Sequence, residues 1–480
     1  VSTRGAYADE PRSYSDVLLE GLAPDRGLYV PTEFPVLSRD ELLELNQLSY
    51  PQLFVELRSK FTGDWMTYYQ QQELAKRAYA PEKFPQVEKE NYVPIRQIGH
   101  NLFIQNLSLG PSASFKDMAM HALAQDMQFE LQRRDETLDI LCATTGDTAR
   151  SAEEAMKGIG RIRLFALSPQ NGTMSDFQKG HMAQLTGENI HNISIDAPFS
   201  KLQDLVKGIK LDPEFSKLGA VNSINWSRVA SQVPYYFSGY FQAIRASRAH
   251  NPDAKIGDEV DFVVPSGNMG NALAGYIARK MGLPIRNIIV ATNENDVLHR
   301  LIQTGVYKSE STVGTSSPSM DINEAASNYE RIVYDLLGGD SEQTGQYMKQ
   351  FETSGTVEFA DIGRDDFSLK GAGFDSGASD HAKRKVTIRR LYQHGHGIID
   401  PHTADGVGVA LSRGRPEVPT ICLETALPVV FEPMVAEALG GVPPREERFE
   451  NMEQALRRRG GFVVMRCDLD ELKKFIRHLV

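Results

Sequence analysis

Between Tyr92 and residue 423, short apolar runs alternate with stretches of helical periodicity, and no other property of the sequence restricts the fold so strongly. Strands are expected at 102–105, 138–143, 163–167, 259–265, 287–292, 397–399 and 420–423, with helices opening near Phe115, Ala149 and Ala272. A chain patterned this way is an α/β protein, here with two open, twisted, mostly parallel sheets carrying helices on both faces. Ligands in such sheets gather beyond the carboxyl ends of the strands. Ahead of the alternation, residues 1–92 hold amphipathic helix candidates separated by proline-rich turns at 31–35 and 81–85, the pattern of a helical N-terminal domain. A length of 480 residues suggests about three units: 1–92, a small α/β domain at 113–231, and a large one formed by 93–112 together with 232–480.

Three turns next to helix starts carry chemistry. In the first, Ser112-Ala113-Ser114-Phe115-Lys116-Asp117 opens a helix with Met118, Ala122, Met127 and Leu131 at apolar spacing and Ser114 as the expected N-cap. Cations favour the opposite end of a helix, so the ammonium form of Lys116 is disfavoured here and its nucleophilic amine becomes accessible. Taken alone, Lys116 reads first as a solvated lysine beside Asp117. In the second, a buried strand is followed by Ser266-Gly267-Asn268-Met269-Gly270-Asn271 and a helix. Free amides there bind an anion, the glycines are expected to supply positive φ and close approach, and Asn268 and Asn271 add donors. The turn fits neither the Walker nor the dinucleotide pattern, and alone it is an ordinary tight turn. In the third, Thr144-Thr145-Gly146-Asp147-Thr148 offers hydroxyls and amides to a carboxylate or phosphate, or caps its helix through Asp147 or Thr148, or does both. A lysine for the aldehyde and a cradle for the phosphate together describe a pyridoxal 5'-phosphate (PLP) site.

Charge and cysteine usage narrow the rest. A net charge of -11 argues against nucleic-acid binding, although a local basic funnel for a phosphorylated substrate remains compatible with it. Cys142, Cys422 and Cys467 are widely spaced and form neither a metal-ligand pattern nor a disulfide framework. No apolar run reaches about 18 residues and the first residues do not resemble a secretory signal, so the expected address is a reducing cytoplasm without membrane attachment. Residues 308–319 and 363–382, rich in Ser, Thr, Gly and Asp, are expected to be loops, surface or lid. The run Arg457-Arg458-Arg459 reads as a solvated helix end.

The order of these motifs resembles the threonine synthase family. Ser-Phe-Lys-Asp at 114–117, Thr-Thr-Gly-Asp-Thr at 144–148, Ser-Gly-Asn-Met-Gly-Asn at 266–271, Ser319-Met320-Asp321-Ile322 with Ser327-Asn328-Tyr329-Glu330-Arg331, and Asp400-Pro401-His402-Thr403-Ala404 follow one another as in that family. Ser2-Thr3-Arg4-Gly5 and the stretch from Gly21 to Tyr29 look like its N-terminal signature, and the likeness extends to about residue 435. Val221-Asn222-Ser223-Ile224-Asn225-Trp226 followed by Arg228 is similar to the longer subgroup of bacteria and fungi. The resemblance implies the tryptophan-synthase-β-like PLP fold, fold type II. It makes Lys116 the Schiff-base lysine, puts the cofactor phosphate on Gly267, Asn268, Met269, Gly270 and Asn271, and sets Thr403 against the pyridine nitrogen. It further implies that Thr144, Thr145, Asp147 and Thr148 grip the substrate carboxylate, with Arg228 for the substrate phosphate, no metal, and a monomer or homodimer.

The implied activity is a PLP-dependent carbon–oxygen lyase that converts O-phospho-L-homoserine and water to L-threonine and phosphate, the last step of threonine biosynthesis. A hydroxyl at the ring nitrogen, in place of a carboxylate, is expected not to enforce ring protonation. The chain departs from the family pattern at Ala149-Arg150, where glycine commonly follows Thr148, at Asp25-Arg26-Gly27, and at Ala426-Leu427-Pro428-Val429-Val430-Phe431, which lacks the family's lysine. These departures keep two alternatives open: a phospho-lyase releasing 2-oxobutyrate, ammonia and phosphate, and a non-catalytic PLP-fold binding protein.

Overall fold

The structure, a computed structural model, describes the chain apart from residues 145, 172–173, 211, 216–217, 365–366, 451, 453, 455–460 and 480, so Thr145 and the 457–459 arginine run lie outside the described residues. Its larger sheet has the order β1-β2-β12-β7-β8-β11, where β1 is Ile95–Gly99, β2 Leu102–Gln105, β7 Val260–Pro265, β8 Ile285–Thr292, β11 Phe374–Ala378 and β12 Thr420–Leu423. Only β1 runs antiparallel to its neighbour among these pairings. A second sheet has the order β13-β5-β4-β3-β6, all parallel, from β3 Leu138–Ala143, β4 Ile162–Pro169, β5 Ile190–Ile195, β6 Leu218–Gly219 and β13 Val463–Met465. A short antiparallel ribbon joins β9 Val306–Lys308 to β10 Thr356–Glu358.

The central strands β7 and β12 are buried at every position, as continuous apolar runs require when helices cover both faces of a parallel sheet. Asp261 breaks the β7 run, and its carboxylate is answered by Arg286 and by the Asn287 amide. Four helices, Tyr14–Glu20, Arg39–Leu45, Tyr50–Thr62 and Tyr68–Ala78, form the N-terminal region, the second and fourth started by capping boxes at Ser38 and Thr67. The first and fourth pack on the helix Asp117–Arg134, which follows Lys116.

Several sequence expectations give way to the structure. No strand forms at 397–399, because Gly395 and Gly397 take φ of +77° and +79° and turn the chain into Asp400. Within 363–382, expected to be loop, β11 extends the larger sheet beside β8. Its small residues are needed there: a Cβ on Gly377 would stand 2.8 Å from Val409, so only a bare backbone lets the helix Pro401–Arg413 approach. The grouping of all of 232–480 with the larger sheet fails at its end, since β13 pairs with β5 and the following helix Leu469–His478 buries Leu472 and Ile476 against Phe165 and Leu202.

One buried ion pair ties the N-terminal region to the Lys116 helix. Arg58 Nη1 lies 2.7 Å from Asp126 Oδ1, both side chains fully enclosed, while Tyr14 and Ser227 donate to Asp126 Oδ2. Burial pushes the Asp126 carboxyl up against the opposing pull of Arg58. Arg58→Met is therefore expected to destabilise the protein by about 3–5 kcal/mol, by stranding the carboxylate, and Arg58→Met/Asp126→Leu to recover much of that loss. Denaturant midpoints of the single and double variants check this; a double variant as unstable as the single would assign the loss to packing.

Candidate active site

The chain enters the Lys116 helix through a tight set of bonds. Asp117 Oδ2 accepts from the Ser112 amide at 2.8 Å, and Asp117 Oδ1 accepts from Ser112 Oγ and Ser151 Oγ at 2.6 and 2.7 Å. Gly110 leaves room for this carboxylate, because a Cβ there would meet Asp117 Oδ2 at 2.4 Å. The helix begins at Asp117 with Lys116 in the N-cap position, so Ser114 is not the N-cap that the sequence suggested. Ser114 is instead engaged in an antiparallel bridge to Ala426, with Phe115 N donating to Thr425 O and Leu427 N to Ala113 O.

Lys116 Nζ is thereby placed 3.5 Å from Asp147 Oδ2, over the Phe115 ring. Burial pushes its pKa down; Asp147 opposes that, while Arg228 and Arg150 add to it. The sequence argument from the helix terminus reached the right direction, but desolvation is the larger cause. Asp147 is fixed from several sides: Arg150 Nη2 at 2.8 Å and Gln178 Nε2 at 2.9 Å on Oδ1, Ser319 Oγ at 2.8 Å on Oδ2. Burial alone would raise its pKa, yet Lys116 and Arg150 hold the carboxyl well below the usual range. Thr144 Oγ1 accepts from the amides of Gly146 and Ala149 at 2.9 and 3.4 Å, which organises the turn and leaves its hydroxyl hydrogen without an acceptor among the described residues. Thr148 is half-buried on the first turn of the helix Asp147–Met156.

At the second turn, the expectation of positive φ at Gly267 and Gly270 is not met. Met269 takes the left-handed conformation, φ +57°, as N-cap of the helix Gly270–Lys280. The glycines serve by close approach: a Cβ on Gly267 would meet Ile322 at 2.9 Å and the Met320 backbone at 3.2 Å, and one on Gly270 would meet Asn328 and Ser223 at 3.4 Å. Asn268 Oδ1 accepts from the amide and hydroxyl of Ser327. Asn271 Oδ1 accepts from Tyr235 and Tyr236 at 2.6 and 2.8 Å, while its buried Nδ2 has no partner among the described residues. Arg228 is buried beside these groups, Nη1 donating to Val221 O at 2.8 Å and Nε unpartnered, its pKa pushed by burial down to about 10.

The turns meet through Ser319, whose hydroxyl reaches Asp147 and whose amide donates to His402 Nε2 at 3.0 Å. His402 follows Asp400, the N-cap of the helix Pro401–Arg413, and Thr403 is fully buried on that first turn. The described candidates thus line one region at the carboxyl ends of β3, β7 and β12. Sequence reasoning missed Arg150, Gln178, Asp400, His402 and Thr425 as parts of it; only the Asp-Pro helix start at 400–401 carried a readable signal.

Comparison with known proteins decides the family. Residues 1–79 match the family described as threonine synthase N terminus, 85–357 the pyridoxal-phosphate dependent enzymes, and 403–476 the C-terminal region of threonine synthase. The chain belongs to the threonine synthase family. It is 41% identical to threonine synthase of Methylobacillus glycogenes over 99% of this chain and 98% of the relative, and 43% identical to that of Corynebacterium glutamicum over 94% and 92%. The crystal structure of PLP-bound threonine synthase from Brucella melitensis superposes with TM-score 0.89 at 35% identity, covering 100% of this chain and 98% of that one.

The family's cofactor is PLP, and the residues present fit it. Lys116, with its side chain 13% exposed, would answer the aldehyde, the turn at Gly267, which has no room for a Cβ, would answer the phosphate, and Asn271 Nδ2 is a buried donor without an acceptor among the described residues. The Arg150 guanidinium lies 5.5 Å from the Phe177 ring centroid, and Phe177 packs with Val430 in one apolar cluster. Among the described residues no cluster of metal ligands occurs and no helix is long and apolar enough to cross a membrane.

Two outcomes follow from this geometry. Asn271→Asp keeps the oxygen that serves both tyrosines but turns the free donor into an anion, so PLP affinity measured by titration should fall roughly 10- to 100-fold. Asp147→Asn removes the charge that raises the Lys116 pKa, so the PLP-free variant should capture PLP, followed by its absorbance, at lower pH than the parent. Capture shifted to higher pH would mean that Asp147 does not act on Lys116.

Proposed function

We propose that the chain converts O-phospho-L-homoserine and water to L-threonine and phosphate. The observation that carries this reading is Lys116, mostly enclosed and paired with Asp147 where the turns after β3 and β7 and the Asp400 helix converge. Bound PLP supplies an electron sink for charge generated at substrate carbons. Lys116 takes the proton from Cα and, from the same place, serves proton movement at Cβ and Cγ as phosphate departs. Asp147 Oδ2 stabilises the ammonium that this proton transfer creates, and Arg150, Gln178 and Ser319 keep that carboxylate from turning away.

The amides of Gly267, Asn268, Met269, Gly270 and Asn271, with the Asn271 side chain, hold the cofactor phosphate, and Thr403 meets the pyridine nitrogen. The free hydrogen of Thr144, with Thr145 and Thr148, binds the substrate carboxylate. Arg228, a buried cation with an unpartnered Nε, takes the substrate phosphate. Enclosure of these groups excludes bulk water, so the water that adds at Cβ is admitted singly.

Incubation with O-phospho-L-homoserine should yield threonine and phosphate in equal amounts, and Lys116→Ala should abolish turnover with the fold retained by circular dichroism. Accumulation of 2-oxobutyrate and ammonia in place of threonine would instead establish the phospho-lyase, and an inert protein that binds PLP would establish the binding module.

A further inference from the structure

Asp400 is a fully buried carboxylate with no lysine or arginine within ion-pair distance among the described residues. Its Oδ1 accepts from the amides of His402 and Thr403 at 2.9 and 3.4 Å, from His402 Nδ1 at 2.9 Å, and from Thr425 Oγ1 at 3.1 Å. His402 Nε2 accepts from the Ser319 amide, so the imidazole carries its proton on Nδ1 and brings Asp400 a hydrogen bond without a formal charge. Oδ2 accepts from Thr403 Oγ1. Other ionisable groups around it are no closer compensation. Glu424, pushed up by burial to about 8, and Cys422, also pushed up by burial, feel Asp400 as a like charge, and Arg96 faces them while donating to the His396 carbonyl.

The direction of the Thr403 hydroxyl is thereby settled. The Thr425 amide donates to Thr403 Oγ1 at 3.2 Å, and the carboxylate on the other side can only accept, so the single hydroxyl hydrogen goes to Asp400. One lone pair of Oγ1 remains. A group meeting Thr403 there must bring its own proton.

We propose that Asp400, acting through Thr403, holds the cofactor's pyridine nitrogen in the protonated state. This rests on the reading that Thr403 faces that nitrogen, and it reverses the expectation that a hydroxyl leaves the ring unprotonated. The buried anion and the pyridinium stabilise each other across one hydroxyl, which supplies the counter-charge that Asp400 lacks within the protein. Asp400 is a positioning residue; Thr403 is the group in contact. Helix capping explains Oδ1 but leaves the Oδ2 bond to Thr403 without a purpose.

The test is the 15N chemical shift of ring-labelled PLP in the reconstituted protein. In the parent it should lie at the pyridinium position. Asp400→Asn preserves the capping oxygen, removes the charge, and presents an amide donor to Thr403, whose hydroxyl then turns toward the ring; the shift should move to that of free pyridine. Thr403→Val should move it the same way. A free-pyridine shift in the parent, or a pyridinium shift in Asp400→Asn, overturns the proposal. Thr403→Val with an unchanged shift overturns it as well, by removing Thr403 from the ring. Product analysis of the parent is independent of all three, so failure of the threonine-forming reading is recognised separately.

Discussion

Two backbone bonds, Phe115 N to Thr425 O and Leu427 N to Ala113 O, hold together the segments on which the site depends. One segment leads into the Lys116 helix and the other leaves β12 of the larger sheet. Without this pairing, the lysine would be placed only by the smaller sheet, and the Thr403 and Asp400 end only by the larger. With it, the side chains need not find each other across an open cleft. The cost of ordering is met in the backbone, and the polar groups arrive in nearly fixed positions. Ser319 adds a second tie, reaching Asp147 with its hydroxyl and His402 with its amide.

The sequence made the architecture legible where the signal was local. Strands β7, β8 and β12 announce themselves by short runs of buried apolar residues, and the helix starts at 147 and 270 lie within a few residues of where periodicity places them. β11 was hidden because its Gly377 serves close packing against Val409, a tertiary demand that erases β propensity. β13 was hidden because its membership is decided by pairing with β5, more than 250 residues earlier in the chain, and nothing local records that choice.

The site divides in the same way. Lys116, the Thr144 turn and the Gly267 turn were readable because each is a short motif at a helix start. Arg150 and Gln178 were not, because their meaning lies in which carboxylate they reach. The departure at 149–150 looked like a loss of pattern in the sequence. In the fold it is a buried guanidinium on Phe177, bonded to Asp147 and the Ser112 carbonyl. Membership of the family came from comparison, whereas the role of this arginine came from geometry.

The charges around the site are sorted by location. Lys116, Arg150 and Arg228 outweigh Asp147 at the end where the turns after β3 and β7 converge, and anionic groups are favoured there: two phosphates and a carboxylate in the proposed reaction. At the Thr403 end the balance is opposite, because Asp400 has no lysine or arginine within ion-pair distance among the described residues. A ligand bearing its phosphate at one end and a basic ring nitrogen at the other matches both ends in a single orientation. In the reversed orientation, phosphate would face a buried carboxylate and the ring nitrogen would face three cations. The enclosed surroundings make that difference large, because water is not there to screen it. The field of the fold therefore favours the cofactor placement proposed above.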